Sequence, residues 1–172
     1  MIRQEDEPDG YPARWESNQT ADYEMDPDVV DDPAYKDDIE AALRDIPTIS
    51  VVTDRDNLFG SNGMYLNVTK RPQQGEGADF RYEFAVSAEF INVDGESMQV
   101  PCGLRSQGGA SRNADRSPKH AMSLRFRKNY GVGKLDFPLI KDSPKTSFNA
   151  IHLRARYNNT WHHITGGQQG RP

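Results

Sequence analysis

The chain has 172 residues, of which 27% are charged and 35% apolar, and its formal net charge is −5 at neutral pH. This length supports one domain with a hydrophobic core, but the low apolar content leaves much of the chain outside it. The lone Cys102 excludes an internal disulfide framework and a cysteine-based zinc cluster. We expect no membrane span, because no apolar run reaches about 18 residues. The first residues also lack the apolar segment of a signal peptide.

The charge is divided unevenly along the chain. Residues 1–60 carry 17 Asp and Glu against 5 Lys and Arg, whereas residues 61–172 carry 9 against 16. Such asymmetry occurs in proteins that bind nucleic acids or membranes, but an acidic front folded over a basic back explains it equally well. We expect no nucleic-acid partner, because aromatic side chains do not interleave with the basic ones.

The N-terminal part of the chain predicts a tail and then a helix. Residues 1–34 are rich in Asp, Glu, Pro and Gly, and we expect an acidic, largely extended tail. Residues 35–172 then form a β-rich domain. A short helix is predicted from Ala34 to Asp45, with Asp32 as its N-cap and Pro47 after its end.

The rest of the chain predicts strands. Their segments are Thr48 to Thr53, Met64 to Val68, Phe80 to Phe90, Met98 to Leu104, Met122 to Phe126 and Phe148 to Arg154. Asp94-Gly95 is a strong hairpin signal between the third and fourth segments. The predicted fold class is α+β, a mostly antiparallel sheet preceded by a short helix. Arg125 and Arg127 lie on the face opposite the apolar one, and Arg105 and Arg154 join them if the register allows.

A glycine-rich, basic segment from Gly103 to Lys128 is the main candidate for a site. It contains seven Arg and Lys residues and one acid, together with the turn Gln107 to Ser111. Paired glycines let backbone N–H groups converge and cationic side chains add charge, so the segment is suited to bind an anion such as phosphate. An ordinary solvated turn is the alternative.

The position of this turn excludes two classes of phosphate-binding loop. Because it lies between two predicted strands, it is neither a Walker A loop nor a dinucleotide-binding loop. Protein kinases, in contrast, cover nucleotide phosphates with a glycine-rich loop. Lys119 follows Pro118 at the start of a strand and could reach phosphates held by the turn. Ser111 and Arg112 could add a hydroxyl and a bidentate guanidinium.

Other candidate sites are weaker. The four histidines show no Ser-His-Asp context, and the adjacent His162 and His163 lack acidic or cysteine neighbours for a metal. No metal site is predicted.

The motifs around the turn occur in the order found in one known family. GLRSQGGASRNADRSPKHAMSLRFR, followed by YGVGKLDFPL and AIHLRARYNNTW, resembles the spore-coat CotH kinase family. Two earlier stretches, DPDVVDDPAYKDDIEAALRDIPTISVVTD and DNLFGSNGMY, look like the preface of large secreted bacterial members. The resemblance covers residues 26–161.

This resemblance implies the N-terminal lobe of an atypical protein-kinase-like fold, with a nucleotide bound between two lobes. It further implies transfer of phosphate from ATP, with Mg or Mn, to Ser or Thr of surface or coat proteins. Secreted relatives favour an extracellular or cell-surface location. The nucleotide-binding residues implied by the motifs are Arg105, Gly108, Gly109, Ser111, Arg112 and Lys119.

In the resembled family, the residues that hold the metal and position the acceptor hydroxyl belong to a C-terminal half. The chain ends at Pro172 before that half, so we expect an apparently truncated portion that is inactive by itself and has no catalytic residues of its own. A second hypothesis is a non-catalytic extracellular β module that binds an anionic polymer or a partner protein through its basic face. That module would bind in a salt-sensitive way without preferring nucleotides.

Overall fold

The computed structural model of the chain describes residues 10–15, 20–21, 23, 25–65, 83–108, 120–140 and 142–155. The helices in these ranges are α1 (Pro27–Val30), α2 (Ile39–Arg44) and α3 (Arg55–Phe59). The strands are β1 (Thr48–Val52), β2 (Phe84–Ile91), β3 (Ser97–Ser106), β4 (Met122–Arg125), β5 (Leu135–Asp136), β6 (Ser147–Phe148) and β7 (Ala150–Leu153).

Five strands form one antiparallel sheet in the order β1-β2-β3-β4-β7, and β5 pairs with β6 in a separate two-stranded sheet. The larger sheet curls into a half-barrel. The expected mostly antiparallel sheet is confirmed. One short helix was predicted before the sheet, whereas the described ranges hold three short helices, of which α3 lies between β1 and β2.

The predicted hairpin joins β2 to β3. Gly95 has a φ of 84°, a left-handed conformation that glycine adopts without steric cost. The Asn92 N–H donates to the Glu96 carbonyl at 2.8 Å and closes the turn. From this turn the pairing runs without a break to Phe84 opposite Leu104, so the turn sets the register of both strands.

Alternate residues of the five strands share one face and form the hydrophobic core. For example, Leu104 of β3 lies opposite Leu124 of β4, which lies opposite Ile151 of β7. The buried core residues are Met64, Val86, Ala88, Phe90, Val100, Cys102, Leu104, Leu124, Phe126, Leu135 and Phe137. Met64, which follows α3, and Leu135 and Phe137, in and near β5, belong to this cluster. These two segments therefore pack against the apolar face of the five-stranded sheet.

Part of the N-terminal segment packs against the domain. Trp15 is only 5% exposed, and its Nε1 donates to the Tyr23 hydroxyl at 3.0 Å. The Tyr23 hydroxyl in turn donates to the Pro12 carbonyl at 2.9 Å. The ring centroids of Trp15 and Tyr65 lie 5.4 Å apart. The Tyr65 ring stacks on the His120 ring, with centroids 4.7 Å apart. These aromatic contacts connect the start of the chain to His120, two residues before β4.

The predicted helix is shorter than expected. It was placed from Ala34 to Asp45, but α2 begins only at Ile39. Asp32 caps a turn instead, since its Oδ1 accepts the Ala34 N–H at 2.8 Å. No residue of α2 is buried, so no tertiary packing extends the helix beyond its local preference.

Two strand predictions differ in their limits. Met64 and Tyr65 lie in a turn and not in a strand, and the rest of that predicted strand, 66–68, lies outside the described residues. The last predicted strand is split into β6 and β7, because Asn149 between them belongs to neither. Its carbonyl accepts the Phe126 N–H at 3.0 Å just beyond the end of β4.

Cys102 lies within the core and is fully buried. Burial raises the pKa of its thiol to about 11, and the nearby Glu83 carboxylate adds to the rise. The thiol is therefore neutral at physiological pH and acts as a small apolar side chain.

We expect Leu124→Ala to lower the free energy of unfolding by about 2–5 kcal/mol, because Leu124 is fully buried and its loss leaves a cavity. Urea unfolding measures the change. Val52→Ala is the control, since Val52 is 66% exposed on the edge strand β1 and its truncation leaves no cavity. Equal losses for the two variants would contradict the assigned core.

The buried thiol also predicts a pH dependence. In the unfolded chain the thiol ionises near its ordinary pKa of 9.0, whereas in the folded chain it stays protonated to about 11. Rising pH therefore favours the unfolded state, and Cys102 removes on the order of 2 kcal/mol of stability between pH 9 and 11. Urea unfolding across this range should show a steeper loss for the native chain than for Cys102→Ala. Parallel curves would show that the thiol pKa is not raised.

Candidate functional site

The candidate site starts at the loop between β3 and β4. The Gln107 N–H donates to the Ala121 carbonyl at 2.7 Å, which extends the pairing of the two strands by one step. Gly108 follows with a φ of 90°, where a residue with a β-carbon would be strained. The loop thus joins two neighbouring antiparallel strands, as expected from the sequence. Its predicted binding residues Gly109, Ser111, Arg112 and Lys119 lie outside the described residues, and their roles stay predictions.

Arginine side chains occupy the sheet face opposite the core. The register pairs Arg105 with Ser123 and Arg125 with Gly103, each next to a core residue on its own strand. Arg105 therefore does lie on the same face as Arg125, which the sequence had left to the register. Arg127 follows two residues later. We call the three side chains Arg105, Arg125 and Arg127 the arginine face.

One buried carboxylate lies among these arginines. The Glu83 side chain is 2% exposed. Arg127 Nε donates to Glu83 Oε1 at 2.8 Å, and Arg127 Nη2 donates to Oε2 at 3.3 Å. This bidentate contact is among the strongest pairings of a guanidinium group with a carboxylate. Tyr130 also donates its hydroxyl to Glu83; burial, followed by the Glu83 charge and this bond, raises the pKa of Tyr130.

Gly103 provides the space for this contact. A β-carbon at Gly103 would lie 2.5 Å from Glu83 Oε1 and 2.7 Å from Tyr130 Cε2, closer than atoms approach without moving. Glycine in the middle of a strand weakens the strand, but it permits close approach of other groups. Here it lets a carboxylate and a phenol ring lie directly over the β3 backbone.

The other two arginines have unsatisfied donors. Arg105 Nε and Arg125 Nε are both buried and have no hydrogen-bond partner among the described residues, and the same holds for Ser123 Oγ. Burial lowers the pKa of Arg125, as does repulsion from Arg105 and Arg127, while Glu83 opposes these effects. With three guanidinium groups and one carboxylate, the arginine face has more positive charge than its own acid neutralises, and an added anion would relieve this imbalance.

Sequence reasoning missed Glu83, Tyr130 and Gly103 as parts of the site. Alternation placed Glu83 on the polar face but gave no reason to single it out. One signal was available, because the Asp94-Gly95 hairpin pairs Phe84 with Leu104 and, one residue further, sets Glu83 beside Arg105. No comparable signal identifies Tyr130, which reaches Glu83 from the turn after Arg127.

Comparison of the chain with protein-family models, curated proteins and solved structures found no match. The resemblance to the CotH kinase family therefore rests on the sequence motifs alone. Within the ranges that the structure covers, no three His, Cys, Asp or Glu side chains form a group that could hold a metal ion. None of the helices placed there is long and apolar enough to cross a membrane.

We expect Gly103→Ala to lower the free energy of unfolding by about 1–3 kcal/mol, the usual cost of overpacking. The added methyl group would push Glu83 and Tyr130 away from their positions and disturb the Arg127 ion pair. Gly95→Asn is the control, because no atom lies within 4 Å of a β-carbon at Gly95 and Asn tolerates positive φ. Urea unfolding compares the variants. If Gly103→Ala is as stable as the native chain, Glu83 does not need the space above Gly103.

Proposed function

We propose that the chain is the N-terminal, nucleotide-binding portion of a CotH-like atypical protein kinase, which transfers phosphate from ATP to Ser or Thr of surface or coat proteins. One structural observation carries the proposal. The glycine-rich loop connects β3 to β4, adjacent strands of a five-stranded antiparallel sheet, and Gly108 enters the loop with a positive φ. Kinases likewise cover nucleotide phosphates with a glycine-rich loop. The ordered motifs from 103 to 154 add support from the sequence.

Phosphoryl transfer depends mainly on positioning and on neutralising the charge of the phosphates. The backbone N–H groups of Gly108 and Gly109 would surround the phosphates, and Ser111 would donate its hydroxyl. Arg112 and Lys119 would supply positive charge from the two ends of the loop. The loop alone can therefore hold a nucleotide without performing the transfer.

The described residues fit the anion better than they fit a metal. Arg105, two residues before the base of the loop, has a buried Nε without an acceptor, as expected of a group that meets an anion. The part of the chain seen in the structure contains no metal-holding group of three acids or histidines. We therefore assign the Mg or Mn that accompanies ATP to none of the described residues. As the family resemblance implies, we expect nucleotide binding without transfer.

The arginine face supports a second candidate function, that of a non-catalytic binding module. Arg105, Arg125 and Arg127 share an excess of positive charge on a sheet face that does not belong to the core. A non-catalytic β module that binds an anionic polymer or an acidic partner protein would use this face. Such binding depends on total charge, so it weakens steeply with salt and does not prefer nucleotides.

Calorimetric titration with ATP and Mg²⁺ tests the first candidate. We expect Lys119→Ala and Gly109→Val each to weaken binding at least about tenfold, because each removes a charge-assisted contact or blocks the backbone approach. Lys134→Ala is the matched control, since Lys134 is an exposed lysine before β5. Unchanged ATP affinity in both loop variants, with equal binding of a sulfated polysaccharide, would reject the nucleotide site and favour the polymer.

A further inference from the structure

We infer that the arginine face holds a discrete site for a phosphate dianion, either the free ion or a monoester, bound by Arg105 and Arg125. In this site Glu83 acts as the counter-charge that occupies Arg127. The site lies on the sheet itself and does not require the loop to bind a nucleotide.

The register brings the two arginines within reach of one ligand. Arg105 lies directly opposite Ser123, and Arg125 lies two residues further along β4 on the same face. Such diagonal neighbours have α-carbons about 7–8 Å apart, a distance that long side chains bridge easily. Two guanidinium groups on these positions can therefore converge on a single tetrahedral anion.

The bonding state of the arginines distinguishes this pair from Arg127. Arg127 already makes two hydrogen bonds to Glu83, which is further held by Tyr130. Arg105 and Arg125 have buried Nε atoms without acceptors among the described residues, although both side chains are only half-buried. Each side chain is therefore partly open to solvent. Donors left in this state are costly, and an anion that accepts from them removes the cost.

The charge balance selects the class of anion. Among the described residues, Glu83 neutralises one of the three guanidinium groups, and the positive charges of Arg105 and Arg125 remain unbalanced. A phosphate monoester carries about two negative charges near neutral pH and has three oxygens that accept hydrogen bonds. A lone carboxylate offers one charge and two oxygens, so it satisfies the pair less completely.

Calorimetric titration of the 172-residue chain with inorganic phosphate tests the site. We expect saturable binding that Arg105→Gln and Arg125→Gln each weaken at least about tenfold. Arg44→Gln is the matched control, because it removes the same charge from the exposed face of α2. Its affinity for phosphate should stay within about twofold of that of the native chain. Native affinity in Arg125→Gln, or no saturable binding by the native chain, would overturn the inference.

Stability measurements show whether the variants fold. In chloride alone, we expect Arg105→Gln and Arg125→Gln to melt no lower than the native chain, since each relieves repulsion between arginines. At a few millimolar phosphate and equal ionic strength, the native chain and Arg44→Gln should gain in melting temperature and the other two should not. A gain of the same size in all four chains would reflect a general salt effect and overturn the site.

Glu83→Gln tests the counter-charge directly. This variant removes a negative charge and releases Arg127, so we expect tighter phosphate binding, opposite in sign to the arginine variants. Weaker binding by Glu83→Gln would overturn the role of Glu83.

Two further measurements identify the source of the phosphate and show whether the site is independent of the glycine-rich loop. O-phosphoserine that binds at least as tightly as inorganic phosphate supports a protein-borne phosphate, whereas exclusive binding of inorganic phosphate supports the free ion. Lys119→Ala should keep its phosphate affinity even if it loses ATP. If Lys119→Ala loses ATP binding but keeps phosphate binding, the arginine face binds phosphate independently of the loop. If the variant loses both, the inference of an independent site is overturned.

Discussion

The pairing of β2 with β3 is the constraint on which both faces of the sheet depend. The turn at Asp94-Gly95 sets this pairing, and strand side chains alternate between faces, so a slip by one residue would exchange the two faces. In the observed register Val100 and Leu104 enter the core. Gly103 then faces the other side, where it leaves room for Glu83. The register of β2 against β3 therefore determines both which residues form the core and which lie on the arginine face.

The buried carboxylate explains why the charged face is compatible with a stable fold. A buried charge without partners is very costly, and Glu83 avoids this cost through two bonds from Arg127 and one from Tyr130. Arg105 and Arg125 receive no such compensation from the described residues, and repulsion between them adds to the cost. Groups that are unfavourable for folding alone are common at binding sites, because a ligand later stabilises them.

The loop that we propose to bind a nucleotide begins close to Arg105, the member of the arginine face on β3. This residue ends the polar side of β3, and the Gln107 bond to Ala121 follows at once. An anion on the sheet and a nucleotide under the loop would therefore lie near each other, on the same edge of β3 and β4. In the proposed kinase portion, such an arrangement places positive charge both at the phosphates of ATP and beside them.

Local sequence patterns predicted the five strands of the larger sheet, the hairpin turn, the polar side of β4 and the loop between two strands, because alternation and turn residues act over a few neighbours. They did not predict β5, and they placed a strand at Met64, which lies in a turn. They did not predict the start of α2 at Ile39, where no tertiary packing supports a longer helix. The motifs of the loop suggested phosphate binding, and their family resemblance stays a prediction. Only the tertiary structure decided that Glu83, Gly103 and Tyr130 meet beside the arginines. The hairpin register alone sets Glu83 beside Arg105, but the contact with Tyr130 joins residues 47 positions apart in sequence. Its physical basis is the close approach of two side chains over Gly103, which alternation and turn residues do not reveal.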